Sequence, residues 1–178
     1  MHTLGNPEAP HTLVVFTDYQ CAVCRDYDLM LQDLLAAYPE EVRIVVRHNP
    51  LRAIHQYADA AANAASCGHA LGKFEEVHRA LFDAQEQLGS VSWSWIANAS
   101  GIADTVAFEN CVTSRQYART VAEDVRLADA LRLRRSPSVI LDGELLGSTP
   151  NLEQIAEQGR FGVLPNSPSI RTEGESRP

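Results

Sequence analysis

Lysine is almost missing from this chain: Lys73 is the single one among fifteen basic residues, the rest being arginine. Basic charge as a whole is outnumbered by 23 acidic residues, which leaves a net charge of −8 and a pI near 5.2. Phosphate backbones are bound by basic surfaces, so no nucleic-acid partner is expected. Long apolar runs are absent too, and nothing approaches the roughly 18 residues that a membrane-spanning helix needs. The start, from Met1 to Pro7, has no basic segment followed by an apolar stretch and so does not read as a signal peptide. A cytosolic protein, a chain whose leader has been removed and a domain of a longer chain all fit that start. Cysteine is scarce. Four residues, Cys21, Cys24, Cys67 and Cys111, are too few to staple a mini-protein but enough for one redox pair and one structural pair.

What is there suffices for one domain with a sizeable core: 178 residues, 45% of them hydrophobic. Thr12 to Thr17 is a short apolar, β-branched run and reads as a buried strand. From Cys21 to Tyr38 the period changes. Cys24, Tyr27, Leu31, Leu34 and Tyr38 share one helical face, Arg25, Asp28 and Gln32 the other, and Pro39 closes the helix. Val42 to Arg47 reads as a second strand, so the three elements form a βαβ unit with parallel strands. Residues 54–133 read as helical throughout, in segments from Ile54 to Cys67, around Phe74 to Phe82, after Ser92, from Asp104, and through Val121 to Leu131. Strand character returns at Ser138 to Leu141, Asp142-Gly143 signals a hairpin turn, and Leu152 to Gln158 reads as a short helix. The expected architecture is α/β, with residues 1–50 and 134–162 as a core and 51–133 as an inserted helical subdomain. Residues 163–178, rich in Pro, Ser, Glu and Arg, are expected to be disordered.

Cys21-Ala22-Val23-Cys24 stands where the first strand gives way to the helix. Unpaired backbone N–H groups and the macrodipole at a helix start stabilise a thiolate, which lowers the pKa of the first Cys. The second Cys, one turn on, can close a disulfide with it. A zinc knuckle and an incidental pair are the bland alternatives. Structural zinc wants four ligands, often from two such knuckles, and the other two cysteines here are isolated. Ser136-Pro137-Ser138 precedes the late strand, where an ordinary trans turn is the expectation, because only about 5–6% of X–Pro bonds are cis.

The chain resembles the DsbA-like family of thioredoxin-fold thiol–disulfide oxidoreductases. The resemblance rests on Gly5 to Pro10, Val15 to Cys21 with Cys24, Arg47-His-Asn-Pro-Leu51, and Gly72-Lys-Phe74 with His78 and Phe82. It continues at Ser136 to Gly143, so that the motifs follow family order over residues 4–158. It implies a thioredoxin core with an inserted helical domain, Cys21 as exposed nucleophile, Cys24 as its partner and Pro137 as a cis proline facing them, with Ser136 beside the substrate. It also implies, from matching positions in a subset of relatives, a structural disulfide between Cys67 and Cys111; two buried free thiols are the alternative. Ala22 and Val23 depart from relatives that carry Pro, then an aromatic residue or His. That dipeptide tunes the thiolate, and Ala-Val adds no hydrogen-bond donor, so a weaker oxidant is expected.

Other residues have smaller claims. Asp18 could move protons during exchange, although such an Asp more often satisfies local backbone donors. Tyr19 and Gln20 fit the rim of the site. Arg25 could favour the thiolate but lies on the polar helix face. His48, His55, His69 and His78 lack metal-ligand spacing, and no metal is expected. Trp93 and Trp95 fit as anchors of a short helix, and Arg132, Arg134 and Arg135 give one rim positive charge. The leading expectation is a monomeric dithiol oxidase of protein thiol substrates, needing no cofactor and reoxidised by a quinone-linked membrane partner. It would be periplasmic or otherwise extracytoplasmic, with the cytoplasm as the other possibility. An isomerase or reductase of the same fold is the runner-up, followed by a binding or chaperone module and by a glutathione-transferase-like enzyme.

Overall fold

The computed structural model describes residues 2–161, and the expected disordered tail, residues 163–178, lies outside the described residues. Strand β2 (His11–Thr17) sits at the centre of a five-stranded sheet. Its alternation loads both faces: Leu13 and Val15 join the main core, while Val14 and Phe16 pack on the opposite side with Ala128, Leu133 and Ile140. A strand buried on both faces needs apolar residues at consecutive positions, which the run Leu13 to Phe16 supplies. Strand β3 (Val42–His48) lies parallel to β2, with Leu13 opposite Ile44 and Val15 opposite Val46. Helix α1 (Ala22–Ala37) makes the crossover between them.

Strand β1 (His2–Gly5) pairs antiparallel with the outer edge of β3. No strand is expected from the sequence before Thr12. Only four residues alternate here, with His2 and Leu4 buried, and so short a pattern containing a His carries little periodic signal. On the other side of β2, β4 (Ser138–Leu141) pairs antiparallel, and β5 (Glu144–Gly147) completes the order β1-β3-β2-β4-β5. Asp142 and Gly143 both take positive φ, 48° and 91°, as a tight two-residue hairpin of this hand requires.

Five helices fill the chain between β3 and β4: α2 (Ala58–Ala70), α3 (Phe74–Asp83), α4 (Trp93–Ala99), α5 (Thr105–Thr113) and α6 (Ala118–Ala130). Helix α7 (Leu152–Gly159) follows the hairpin, opened by a reciprocal Asn151–Gln154 cap. Helix α2 begins at Ala58, later than the expected Ile54, which lies exposed in the preceding turns. Asp18 is the reason: its carboxylate takes the Leu51 amide and the His55 ring, and so holds residues 51–55 in a non-helical path. Small residues then let α2 and α3 approach closely. A Cβ on Gly68 would come within 2.6 Å of the Val77 side chain.

Helix α1 buries Cys24, Tyr27, Leu31 and Leu34 as its periodicity predicts, but it also buries Asp28, which belonged to the expected polar face. A single-face reading fails because α1 is covered on a second flank, where α3 brings His78 against Asp28.

Candidate active site

Cys21 is the N-cap of α1, with extended backbone (φ −82°, ψ 113°), and its Sγ accepts the Cys24 N–H at 3.4 Å. A sulfur thus occupies the position where Ser or Asp oxygens usually satisfy a free helix-start amide. The Asp18 carbonyl takes the Cys21 N–H at 3.1 Å and fixes the turn into the helix. A hydrogen bond from the Cys24 side chain is the largest influence on Cys21 and lowers its pKa; burial opposes it, and the Cys24 amide assists. The nearby Asp18 charge raises the value and His55 lowers it, and the balance is a thiol at about 6. Cys24 moves the other way. Burial, then the hydrogen bond and charge of Cys21, push its pKa far above the ordinary thiol range.

Both cysteines are free thiols. Cys21 is recessed: it is 8% exposed, against 2% for Cys24, where an exposed nucleophile was expected. The cover comes from the chain before β4. Cys21 Sγ lies 3.4 Å from the Ser136 carbonyl oxygen, and the peptide bond between Ser136 and Pro137 is cis in the structure. Ser136 Oγ donates to the Asn49 carbonyl at 2.9 Å, and the Asn49 N–H donates to the Thr17 carbonyl at 2.8 Å. The Arg47-His-Asn-Pro-Leu51 motif therefore ties the end of β2 to the proline loop. Ser148 Oγ secures the far side of that loop through the Pro137 carbonyl.

Asp18 is 1% exposed and fully engaged, with Gln20 N–H on one oxygen and Leu51 N–H and His55 Nδ1 on the other. Its contacts are those of a loop organiser. Gln20 accepts from the Tyr57 amide, and Tyr19 is buried rather than at the rim. Arg25 faces Asp26 and Glu86. Arg132, Arg134 and Arg135 line a cleft of about 350 Å³ beside the proline loop, together with Ser138, Leu145 and Ser148. Trp93 packs against the core, whereas Trp95 is 47% exposed. Cys67 and Cys111 are joined as a disulfide that ties α2 to α5, with Cα atoms 6.1 Å apart.

A family model described as Thioredoxin matches residues 1–158. The chain belongs to the thioredoxin family. Its fold is the DsbA-like form of the thioredoxin fold. It is similar over 90% of its length to a thioredoxin-like oxidoreductase from Silicibacter pomeroyi DSS-3, with 28% identity, 92% of that chain covered and a TM-score of 0.73. BdbD from Bacillus subtilis (oxidised) superimposes with a TM-score of 0.78 at 16% identity, covering 89% of this chain and 90% of that one. DsbA from Chlamydia trachomatis gives 0.72 at 13% identity, over 89% and 87% of the two chains. Among curated relatives, Na(+)/H(+) antiporter NhaA 3 of Salinispora tropica is 31% identical over 99% of this chain, which spans only 26% of that relative. No helix among the described residues is long and apolar enough to cross a membrane. Fold and cysteine pair together are those of a thiol–disulfide oxidoreductase.

The thioredoxin-family site also contains a buried chain that periodicity did not reveal. Tyr19 Oη lies 2.7 Å from His78 Nδ1, and His78 Nε2 lies 2.8 Å from Asp28 Oδ1. Burial raises the Asp28 pKa, but the hydrogen bond and charge of His78, aided by Gln32 and Arg79, outweigh it and hold the carboxyl below its ordinary value. Burial, reinforced by the Asp28 charge, holds Tyr19 as a phenol, and the ionised Asp28 carboxylate accepts from His78 Nε2. Asp28, His78 and Cys24 line one small cavity of about 10 Å³, close to the space of a single water. The sequence signals were indirect: His78 among the residues of the resemblance, and an Asp one turn beyond Cys24.

Proposed function

We propose that this chain is a dithiol oxidase that introduces disulfides into protein substrates through Cys21 and Cys24. One observation carries the reading: the Cys21 sulfur caps its own helix beside the Ser136 carbonyl of the proline loop, with the Cys24 thiol within hydrogen-bond reach. In the oxidised protein a substrate thiolate attacks Cys21 Sγ of the Cys21–Cys24 bond, and Cys24 leaves. A second substrate thiolate then attacks the substrate sulfur of the mixed disulfide, and Cys21 leaves as the thiolate that its helix start stabilises. Two electrons pass from the substrate dithiol to the protein, and a membrane-bound, quinone-linked partner takes them away.

Each site residue has a part in this scheme. Ser136 and Pro137 offer an extended backbone edge along which a substrate strand can lie next to the recessed sulfur. Asp28 and His78 form the buried acid–base pair for Cys24, exchanging its proton through the small cavity. The Arg132, Arg134 and Arg135 cleft adds positive charge at the edge of the substrate path. The Cys67–Cys111 bond serves as a structural tie, and persistent structural disulfides fit an extracytoplasmic compartment. In this proposal the sheet with α1 and α7 acts as the redox core, and the helices of residues 51–133 form the inserted cap, with α6 reaching the opposite face of the sheet.

The test is refolding of reduced ribonuclease by stoichiometric oxidised protein, run beside refolding of scrambled ribonuclease. The oxidase reading expects disulfide formation in the first reaction and little rearrangement in the second, with Cys21→Ser inactive in both. Faster activity on the scrambled substrate would favour an isomerase instead. Full function in Cys21→Ser would leave a binding module.

A further inference from the structure

We propose that His48, Asp124 and His2 form a binding site for one divalent transition-metal ion, zinc being the best match to the donor set. The starting point is an imidazole whose tautomer is fixed by its neighbour. Ser66 Oγ has one hydrogen, which goes to the Ala62 carbonyl at 3.1 Å. Its 3.3 Å contact with His48 Nε2 therefore has the ring N–H donating to the hydroxyl oxygen. His48 Nδ1 is left with a bare lone pair. His48 is wholly buried, and among the described residues its Nδ1 is the one buried side-chain polar atom without a hydrogen-bond partner. A buried, unmatched lone pair leaves its desolvation uncompensated unless something electrophilic meets it.

Around the His48 ring are further electron-pair donors. Asp124, 1% exposed, accepts the His48 backbone N–H on Oδ2 at 3.0 Å and Arg47 Nη1 on Oδ1 at 2.8 Å. These two bonds orient the carboxylate and leave each oxygen a free lone pair. His2, from β1, brings its ring centroid to 4.9 Å from that of His48. One ligand atom of each residue lies within 4.8 Å of those of the other two. Tetrahedral zinc at bonds of about 2.0–2.1 Å sets its ligand atoms about 3.4 Å apart, so binding would draw the three ligand atoms inward from their 4.8 Å limit. Two imidazoles and one carboxylate are a zinc-type set with a fourth position for water. Magnesium and calcium, which prefer all-oxygen surroundings, fit it poorly. The bound ion would clamp β1, β3 and α6 together. The three residues come from separate elements, which is why sequence spacing gave no metal signal.

The test uses the protein with the Cys21–Cys24 disulfide closed, so that thiolates do not compete for metal; its outcome is independent of any oxidase activity. Zinc uptake is measured by equilibrium dialysis with elemental analysis, and thermal unfolding is followed with zinc or magnesium added. Expected are one equivalent of zinc, a rise in Tm with zinc but not magnesium, and affinity at least about 100-fold weaker in His48→Gln and His2→Gln. His2→Gln lies on the outermost strand and keeps the test open if a change at His48 or Asp124 unfolds the chain. Substoichiometric zinc, an unchanged affinity in both His variants, or an ordered water bound to Nδ1 in crystals soaked with zinc would overturn the site.

Discussion

Cys21 Sγ and the Ser136 carbonyl oxygen are 3.4 Å apart although 115 residues separate them in sequence. That contact recesses the Cys21 sulfur while leaving it at the edge of a backbone segment that can pair with an extended chain. The Asn49 carbonyl, held by Ser136 Oγ, makes the geometry a property of the end of β3 as well as of the proline loop.

The lowered Cys21 pKa has a consequence for stability. Its thiol titrates at about 6 when folded, against an ordinary value of 9.0. Between those values the unfolded chain binds the proton that the folded chain has released, so the stability of the reduced protein rises with pH through that window. The gain is complete above the ordinary value and is lost as pH falls through about 6. Urea unfolding of the reduced protein and of Cys21→Ser across pH 5–10 checks this. The difference between them should grow from pH 6 to 9 and then level off, because serine keeps the helix cap but does not ionise.

Asp28→Asn should slow disulfide exchange by on the order of 100-fold near neutral pH and flatten the pH profile of the Cys24-dependent step. His78→Gln should do the same. A residue acting only through packing would lower stability, by about 1–3 kcal/mol for a buried partner lost, while leaving the profile of exchange unchanged. Stopped-flow fluorescence of mixed-disulfide formation, the step in which Cys24 leaves, as a function of pH separates the two outcomes.

Much of this arrangement was legible beforehand. The central strand, the helix after Cys21 and the parallel β3 follow from period changes over Thr12 to Arg47, and the Asp142-Gly143 hairpin from its turn residues. What escaped was non-local. Asp28 looked solvent-facing because nothing in α1 itself tells that α3 will cover its second flank. His2, His48 and Asp124 meet only after β1, β3 and α6 assemble. The recess of Cys21 depends on a carbonyl supplied far along the chain.

Removing the Cys67–Cys111 bond by a double Cys→Ala change should cost ~4 kcal/mol, as expected for a loop of its length. Thermal or urea unfolding measures the loss, and exchange at Cys21 should persist below the new midpoint. Loss of exchange together with no loss of stability would reverse the roles of the two cysteine pairs.

The Ala22-Val23 dipeptide brings no donor to the Cys21 sulfur, and the Asp18 charge opposes its ionisation. The Cys21/Cys24 potential should therefore be more reducing than about −120 mV, and equilibration with glutathione measures it. Replacing Val23 with His should shift it toward more oxidising values.

Alkylation of the reduced protein by iodoacetamide from pH 4 to 10, with each modified cysteine identified by mass spectrometry, tests the account most directly. It predicts reaction at Cys21 alone, with a rate that rises around a midpoint near 6. A midpoint at the ordinary thiol value, or equal modification of Cys24, would contradict it.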